Sequence, residues 1–221
     1  MSGPDLENTA MGNNAISGTD VLWDPSNSSQ IDPALCRAVE DLLRQHPTGI
    51  LPIVKAGHPV LRAVTTPYQG QLGDLLPDLL EYMRRTMLDA PGVGLAANQI
   101  GLGLALAVVW DPGTDDPDDP RERVAVPHRT ILNPRYEAVA APDSGEVEGR
   151  AFYEGCLSVP GYQAVVNRAR AVRLIGQDEH GEPLDEVLVG WPARIVQHET
   201  DHLGGMLYLD RADLRSLAAT E

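Results

Sequence analysis

The sequence has little of several features that would indicate other classes of protein. It has two cysteines in 221 residues, Cys36 and Cys156, too few for a disulfide framework. No apolar run reaches the length of about 20 residues that a transmembrane helix needs, and the polar, acidic N-terminus lacks the basic and apolar regions of a signal peptide. Lys and Arg number 17 against 32 Asp and Glu, and the net charge of −15 argues against stable binding to nucleic acid or anionic membranes. We therefore predict a cytoplasmic protein that binds neither.

The composition divides the chain into four segments. Residues 1–30 are rich in Ser, Asn, Gly, Asp and Pro, and we predict a disordered acidic and polar tail there. An extension helix is predicted within 31–49, where Asp32 is a suitable N-cap. Residues 50–210 have the apolar content of a folded domain, and 211–221 is predicted to be a short C-terminal tail.

Strands are predicted in the middle of the domain, with helices before and after them. A second helix is predicted within residues 75–92, where the methionines fall at helical spacing and are interpreted as core. Strand character is found at 104–110, 129–139, 163–176 and 182–190. Because this order lacks βαβ alternation, we predict an α+β fold. Mixed, mainly antiparallel sheets would pack around a C-terminal helix, preceded by N-terminal helices.

The stretch DPGTDDPDDPRER, residues 111–123, is acidic and rich in proline. A calcium site is conceivable there, but the spacing fits no EF-hand pattern. The composition instead predicts a solvated hairpin loop.

The C-terminal helix carries the pattern His-Glu-x-x-His. Histidines at i and i+4, here His198 and His202, can both reach one metal ion from a helix. Glu199 points to one side of the pair, where it can take a proton from water on that metal. Trp191 and Ile195 share this broad face, so it is neither a plain core face nor a solvated one. The mixture predicts a buried polar site, although the five-residue pattern alone could also arise by chance.

A catalytic site of this kind needs a third protein ligand and an open position for water. Downstream of His202 there is no histidine, and the only acidic residues near the C-terminus are Asp210, Asp213 and Glu221. Upstream, Cys156 lies in the tight segment YEGCLSVPG. A lone thiol is commonly a buried structural residue, but beside two histidines Cys156 becomes a candidate third ligand.

A third stretch, GVGLAANQIG at 92–101, has features of a ligand-binding segment. Gly92 and Gly94 permit close approach of a ligand to the backbone, and Gln99 offers an amide donor and acceptor. The stretch lacks the glycine and lysine spacing of a dinucleotide or phosphate loop. A helix end followed by a turn would explain it equally well.

Taken together, GVGLAANQ, EGCLSVP and QHETDH resemble, in order and spacing, the three motifs of the peptide deformylase family. GHPVLR at 57–62 also resembles the entry segment of that family, and the resemblance covers about residues 50–210. It implies a metal-dependent hydrolase that removes the N-formyl group from formylmethionyl N-termini of newly made polypeptides and releases formate. It also implies one divalent metal ion. Fe(II) is the first candidate, and Zn, Ni or Co can substitute for it.

The resemblance further implies roles for individual residues. The expected metal ligands are Cys156, His198 and His202. Glu199 would be the general base and acid, and Gln99 and the backbone N–H of Leu157 would form the oxyanion hole. The residues expected to contact the substrate peptide or its methionine side chain are Gly94, Val93, Gly155, Trp191 and Ile195.

The chain departs from the family pattern in three places. About 45 N-terminal residues have no counterpart in compact bacterial members. The long C-terminal helix that some members use at the ribosome is absent, so only transient ribosome contact is expected. Gln163 stands where some relatives have Arg, which would alter contacts to the peptide. The expected partner is an N-formylmethionyl peptide or nascent chain.

Two other functions stay open at this point. One is a zincin-type metallopeptidase that cuts internal peptide bonds and uses a ligand other than Cys156. The other is a relative that kept the fold for binding without catalysis. The residue types do not select the metal, because Cys-His-His suits iron, zinc, nickel and cobalt. We also expect Asp201 to pair with Arg168 or Arg170 and so tie the ligand helix to the strand after Cys156.

Overall fold

The computed structural model describes residues 23–25 and 30–220, and in these ranges it has three α-helices and eight β-strands. The helices are α1 (Pro33–Gln45), α2 (Leu76–Asp89) and α3 (Trp191–Leu203). The strands are β1 (Gly94–Ala96), β2 (Leu106–Asp111), β3 (Val126–Ala138), β4 (Gly149–Cys156), β5 (Val159–Ala169), β6 (Ala171–Gln177), β7 (Pro183–Val189) and β8 (Ala212–Ala219). Most of the tail predicted at 1–30 lies outside the described residues.

Helix α1 has Asp32 as its N-cap residue. The Asp32 side chain accepts hydrogen bonds from the backbone N–H groups of Ala34 and Leu35 at 2.9 and 3.1 Å, and proline occupies the first turn. The helix buries Val39 and Leu43 in the same apolar cluster as the core face of α2. The N-terminal extension thus packs onto the domain through its apolar face.

Helix α2 forms the centre of the first part of the core. Its buried face includes Leu79, Leu80, Met83 and Met87, which pack with residues of β1 and β2. The two methionines are core residues, as their helical spacing predicts. Within the described ranges, no helix combines the length and the apolar character that a membrane span requires.

The strands form two antiparallel sheets. One has five strands in the order β1-β2-β3-β6-β7, and the other has three in the order β4-β5-β8. Every paired strand in both sheets is antiparallel, and a single parallel bridge joins Thr66 to Leu104. Helix α3 contacts strands of both sheets. The predicted α+β class, with antiparallel sheets around a C-terminal helix, is confirmed.

Two segments of the structure differ from what the sequence predicts. The stretch 163–176 divides at Arg170 into β5 and β6, which belong to different sheets. The backbone of Arg170 bonds to Glu148 and Gly190, each at 2.8 Å, and so leaves the β5 ladder. Residues 212–219 form β8, so the prediction of a short tail at 211–221 is wrong there. Strand β8 pairs with β5, and the Ser216 hydroxyl accepts a hydrogen bond from the β5 backbone at 2.7 Å.

Asp201 ties α3 to the three-stranded sheet. Its Oδ2 lies 2.8 Å from the guanidinium of Arg168 on β5, and both side chains are buried. Arg211 and the hydroxyl of Tyr136 also contact the carboxylate, at 2.8 and 2.9 Å. The pairing with Arg168 is one of the two expected, whereas Arg170 pairs elsewhere. This connection fixes α3 beside the strands that flank Cys156.

Candidate active site

Helix α3 and the end of β4 bring three metal-binding side chains together. His198 and His202 lie one turn apart on α3, and Cys156 is the last residue of β4. The Nε2 atom of His202 lies 3.2 Å from Cys156 Sγ and 3.2 Å from His198 Nε2. All three potential ligand atoms lie within 4.8 Å of one another. The structure thus brings together the three residues that the sequence predicts as ligands.

The spacing of these atoms fits a four-coordinate divalent ion. Bonds of about 2.1 Å to nitrogen and about 2.3 Å to sulfur, at tetrahedral angles, place neighbouring ligand atoms roughly 3.4–3.6 Å apart. The two contacts of 3.2 Å are close to that separation. Two Nε2 atoms that face each other cannot both carry a proton, and one thiolate with two imidazoles suits a transition-metal ion.

Glu154 orients His198, although it is not among the site residues that the sequence predicts. Its Oε2 lies 3.1 Å from Nδ1 of His198, which leaves Nε2 facing the other two ligands. Burial alone would raise the pKa of the Glu154 carboxyl, but Arg168 and His198 outweigh it and hold the pKa well below its usual range. Arg168 bonds the carboxylate at 2.6 and 3.0 Å, and Arg194 also contacts it. No local signal marks it, because the strand register shifts between Gly155 and Cys156, so regular alternation does not relate Glu154 to Cys156.

Glu199 lies beside the ligands in a nearly closed environment. Burial raises the pKa of its carboxyl to about 7, so the group can hold or release a proton near neutral pH. Within the described ranges, its Oε2 atom is buried and has no hydrogen-bond partner. A Cβ atom at Gly94 would lie only 2.2 Å from Oε1, so the close approach of β1 to Glu199 requires glycine.

Gln99 is held with its amide nitrogen towards Cys156. Its Oε1 accepts a hydrogen bond from the backbone of Ala96 at 2.9 Å. Its Nε2 donates to the Ser158 hydroxyl at 3.2 Å and lies 3.6 Å from the sulfur of Cys156. The carbonyl of Leu157 accepts a hydrogen bond from Lys55 at 3.0 Å, which helps to orient the segment after Cys156. Both predicted oxyanion-hole groups therefore lie near the cluster of potential ligands.

These groups face a cleft with a cavity volume of about 600 Å³. The predicted substrate-binding residues all line it, namely Val93, Gly94, Gly155, Trp191 and Ile195. Several further lining residues were not predicted as site residues, among them Arg121, Tyr153, Tyr162 and Thr220. Arg121 belongs to the acidic stretch 111–123, which the sequence predicts only as a solvated loop. The cleft can thus hold an extended peptide with its end at the ligand cluster.

Comparison with known proteins gives consistent matches over most of the chain. The family profile described as polypeptide deformylase matches residues 50–217. The chain is 56% identical to peptide deformylase 3 of Streptomyces avermitilis over 190 residues, which cover 85% of this chain and 81% of that protein. It is 52% identical to the peptide deformylase of Bifidobacterium adolescentis over 201 residues, 88% of each chain. The Met-Ala-Ser-bound crystal structure of a class I type b peptide deformylase from Acinetobacter baumannii matches with a TM-score of 0.64. That match has 33% identity and covers 73% of this chain and 98% of the other.

Proposed function

The chain belongs to the polypeptide deformylase family, and we propose how its residues carry out the family's reaction. It is a metal-dependent hydrolase that removes the N-formyl group from formylmethionyl peptides and releases formate. This reaction is an N-terminal processing step of protein biosynthesis. The observation that carries the proposal is that Cys156, His198 and His202 converge beside the buried carboxylate of Glu199.

In this proposal Cys156, His198 and His202 hold one divalent metal ion, and Fe(II) is the first candidate. When bound, the ion supplies Lewis acidity, which polarises the formyl carbonyl and lowers the pKa of a coordinated water. Cysteine is the ligand most easily oxidised. We expect the iron form to lose activity in air or peroxide, and full activity after prolonged aerobic handling would count against iron with a thiolate ligand.

Glu199 moves the proton in this scheme. It accepts a proton from the attacking water and then gives it to the leaving amine, a double role that suits a carboxyl with a pKa of about 7. The Gln99 amide and the N–H of Leu157 donate to the formyl oxygen as negative charge develops there. Loss of one such donor typically lowers kcat by about 100-fold or more.

The cleft binds the peptide through its backbone and its first side chain. Val93, Trp191 and Ile195 surround the methionine side chain, and the backbones at Gly94 and Gly155 face the peptide. We expect a preference for unbranched apolar side chains at the first position. Equal turnover of formyl-Asp and formyl-Met peptides would contradict this assignment. The same tight site would reject an acetyl group, which adds one methyl beside the ligand cluster.

The natural substrates in this proposal are nascent chains in the cytoplasm, with only transient contact to the ribosome. Both cysteines are free thiols, which suits a reducing compartment. The net charge of −15 opposes stable binding to ribosomal RNA. Co-sedimentation with ribosomes tests whether the contact is only transient, and stable retention on ribosomes at physiological salt would contradict the proposal.

The direct test is formate release from formyl-Met-Ala after anaerobic loading with Fe(II), together with metal analysis. We expect turnover and one metal ion per chain. Cys156→Ser should lose both, whereas Cys36→Ser, a matched change at the other free thiol, should lose neither. A metallopeptidase with another ligand would keep its metal in Cys156→Ser and cut internal peptide bonds. A non-catalytic relative would release no formate at all.

A further inference from the structure

We propose that Arg121 is a specificity-determining residue at the far end of the pocket for the first side chain. Its guanidinium would bind a hydrogen-bond acceptor carried at the end of a side chain of methionine length, such as glutamate or methionine sulfoxide. This assignment rests on the proposed function, because that function places the formyl group at the ligand cluster and the first side chain along α3.

Helix geometry indicates that Arg121 lies about as far from the ligand cluster as the end of a bound methionine side chain. Trp191 precedes His198 by seven residues on α3, which corresponds to about 10 Å along the helix axis. A methionine extended from its formyl carbon to its terminal methyl spans roughly 7–8 Å by ordinary bond lengths. The end of such a side chain therefore comes close to the level of Trp191. Arg121 lies over the Trp191 ring and lines the same cleft.

Two aromatic rings hold the Arg121 side chain. Its guanidinium carbon lies 5.5 Å from the centroid of Trp191 and 5.9 Å from that of Phe152. Both rings attract a cation through their faces. The Trp191 ring is itself fixed, because its Nε1 donates to the buried carboxylate of Asp111 at 2.8 Å. The guanidinium thus has a defined place that does not depend on an ion pair.

The backbone around Arg121 is anchored to the start of α3. The N–H of Arg121 donates to Asp119 Oδ1 at 3.0 Å. The next residue, Glu122, binds the guanidinium of Arg170 through both oxygens, at 2.6 and 2.8 Å. Glu122 also lies against Gly190, where an added Cβ would approach the Glu122 Cβ to 2.5 Å. This part of the acidic loop is therefore a fixed wall of the cleft.

The charge of Arg121 is available to a ligand. In the part of the chain that the structure describes, its guanidinium has no ion-pair partner. The other arginine of the cleft, Arg194, is buried and bonds Glu154 and the carbonyls of neighbouring strands. Gln163, which also lines the cleft, is neutral. An acceptor at the end of the first side chain would thus meet the unpaired donors of Arg121.

The test compares kcat/KM for formyl-Glu-Ala and formyl-Nle-Ala, two substrates of similar length of which only the first carries an acceptor. Arg121→Met keeps the length and apolar surface of the side chain but removes its donors. We expect the ratio of formyl-Glu to formyl-Nle turnover to fall by about tenfold, as for loss of a hydrogen bond to a charged group. Arg44→Met, an equal charge change on the exposed face of α1, should leave the ratio unchanged.

The outcomes separate this inference from the function on which it rests. If the wild-type protein releases no formate from formyl-Met-Ala, the proposed function fails. If it does, but Arg121→Met leaves the ratio unchanged, the role of Arg121 is refuted. An effect limited to acidic residues at the second position would also refute it, because Arg121 would then contact the peptide beyond the first side chain. Arg121→Leu, which also lacks donors, provides the same test if Arg121→Met does not fold.

Discussion

Replacement of Gly94 by alanine should remove most of the activity while leaving the metal in place. The added Cβ would lie 2.2 Å from Oε1, 2.6 Å from Cδ and 2.8 Å from Cγ of Glu199. Since ordinary contact begins at 3.4 Å, the carboxylate must retreat by more than 1 Å. Alanine itself is tolerated by the backbone, because Gly94 is not among the described glycines with positive φ.

The expected loss follows from the size of that displacement. A misplacement of about 1 Å in a catalytic group can lower the rate by about 100-fold, which corresponds to about 2.7 kcal/mol of barrier. The loss should be mainly in kcat, because Glu199 in the proposed function acts on the reacting atoms. Metal content should stay near one ion per chain, because none of the close contacts involves a ligand atom.

The assay is formate release from formyl-Met-Ala, with metal analysis and thermal unfolding of the same samples. Gly103→Ala is the matched control, because nothing lies within 4 Å of its added Cβ. Activity of Gly94→Ala within threefold of the wild type would refute the role of Glu199. A double-mutant cycle with Glu199→Asp locates the clash, because a shorter carboxylate leaves room for the new methyl. Strictly additive losses would indicate that alanine obstructs the peptide instead.

Two further predictions concern ion pairs away from the ligand cluster. Asp201→Lys should lower the free energy of unfolding by about 3–5 kcal/mol, because it replaces the buried carboxylate that Arg168 and Arg211 share with another cation. An unchanged urea midpoint would contradict this. Hydrogen bonding from Arg170 lowers the pKa of Asp143 to about 2. Because this value lies below the unfolded pKa of about 3.9, the stabilisation is complete above pH 4 and is lost as pH falls towards 2. NMR titration measures the pKa of Asp143. The variant Arg170→Gln should restore that pKa to near 4. A pKa near 4 in the wild type would refute the pairing of Asp143 with Arg170.

The sequence predicts those parts of the fold that depend on local spacing. The cap at Asp32 and the core methionines of α2 follow from residues within a few positions of each other. The placement of His198 and His202 on one side of α3 follows from the same helical period. These features need no knowledge of distant segments. The need for a third ligand made Cys156 a candidate, and the resemblance to a family then implied that role.

The features that the sequence does not predict depend on contacts between distant segments. Strand β8 has no buried residue, and its pairing with β5 joins residues about 50 positions apart. Glu154 is recognisable as an orienting residue only when α3 is known to pack against β4. Arg121 resembles any arginine in an acidic loop until Glu122 and Gly190 are seen in contact. Such pairings depend on tertiary packing, which local propensity does not specify.

X-ray absorption at the metal edge of the anaerobically loaded protein reports which atoms are bonded to the ion. If Cys156, His198 and His202 are the ligands, we expect one sulfur at about 2.3 Å together with nitrogen or oxygen neighbours at about 2.0–2.2 Å. In Cys156→Ser the sulfur contribution should vanish from any metal that remains. A wild-type spectrum without sulfur in the first coordination shell would contradict the assignment of Cys156, His198 and His202 as the metal site.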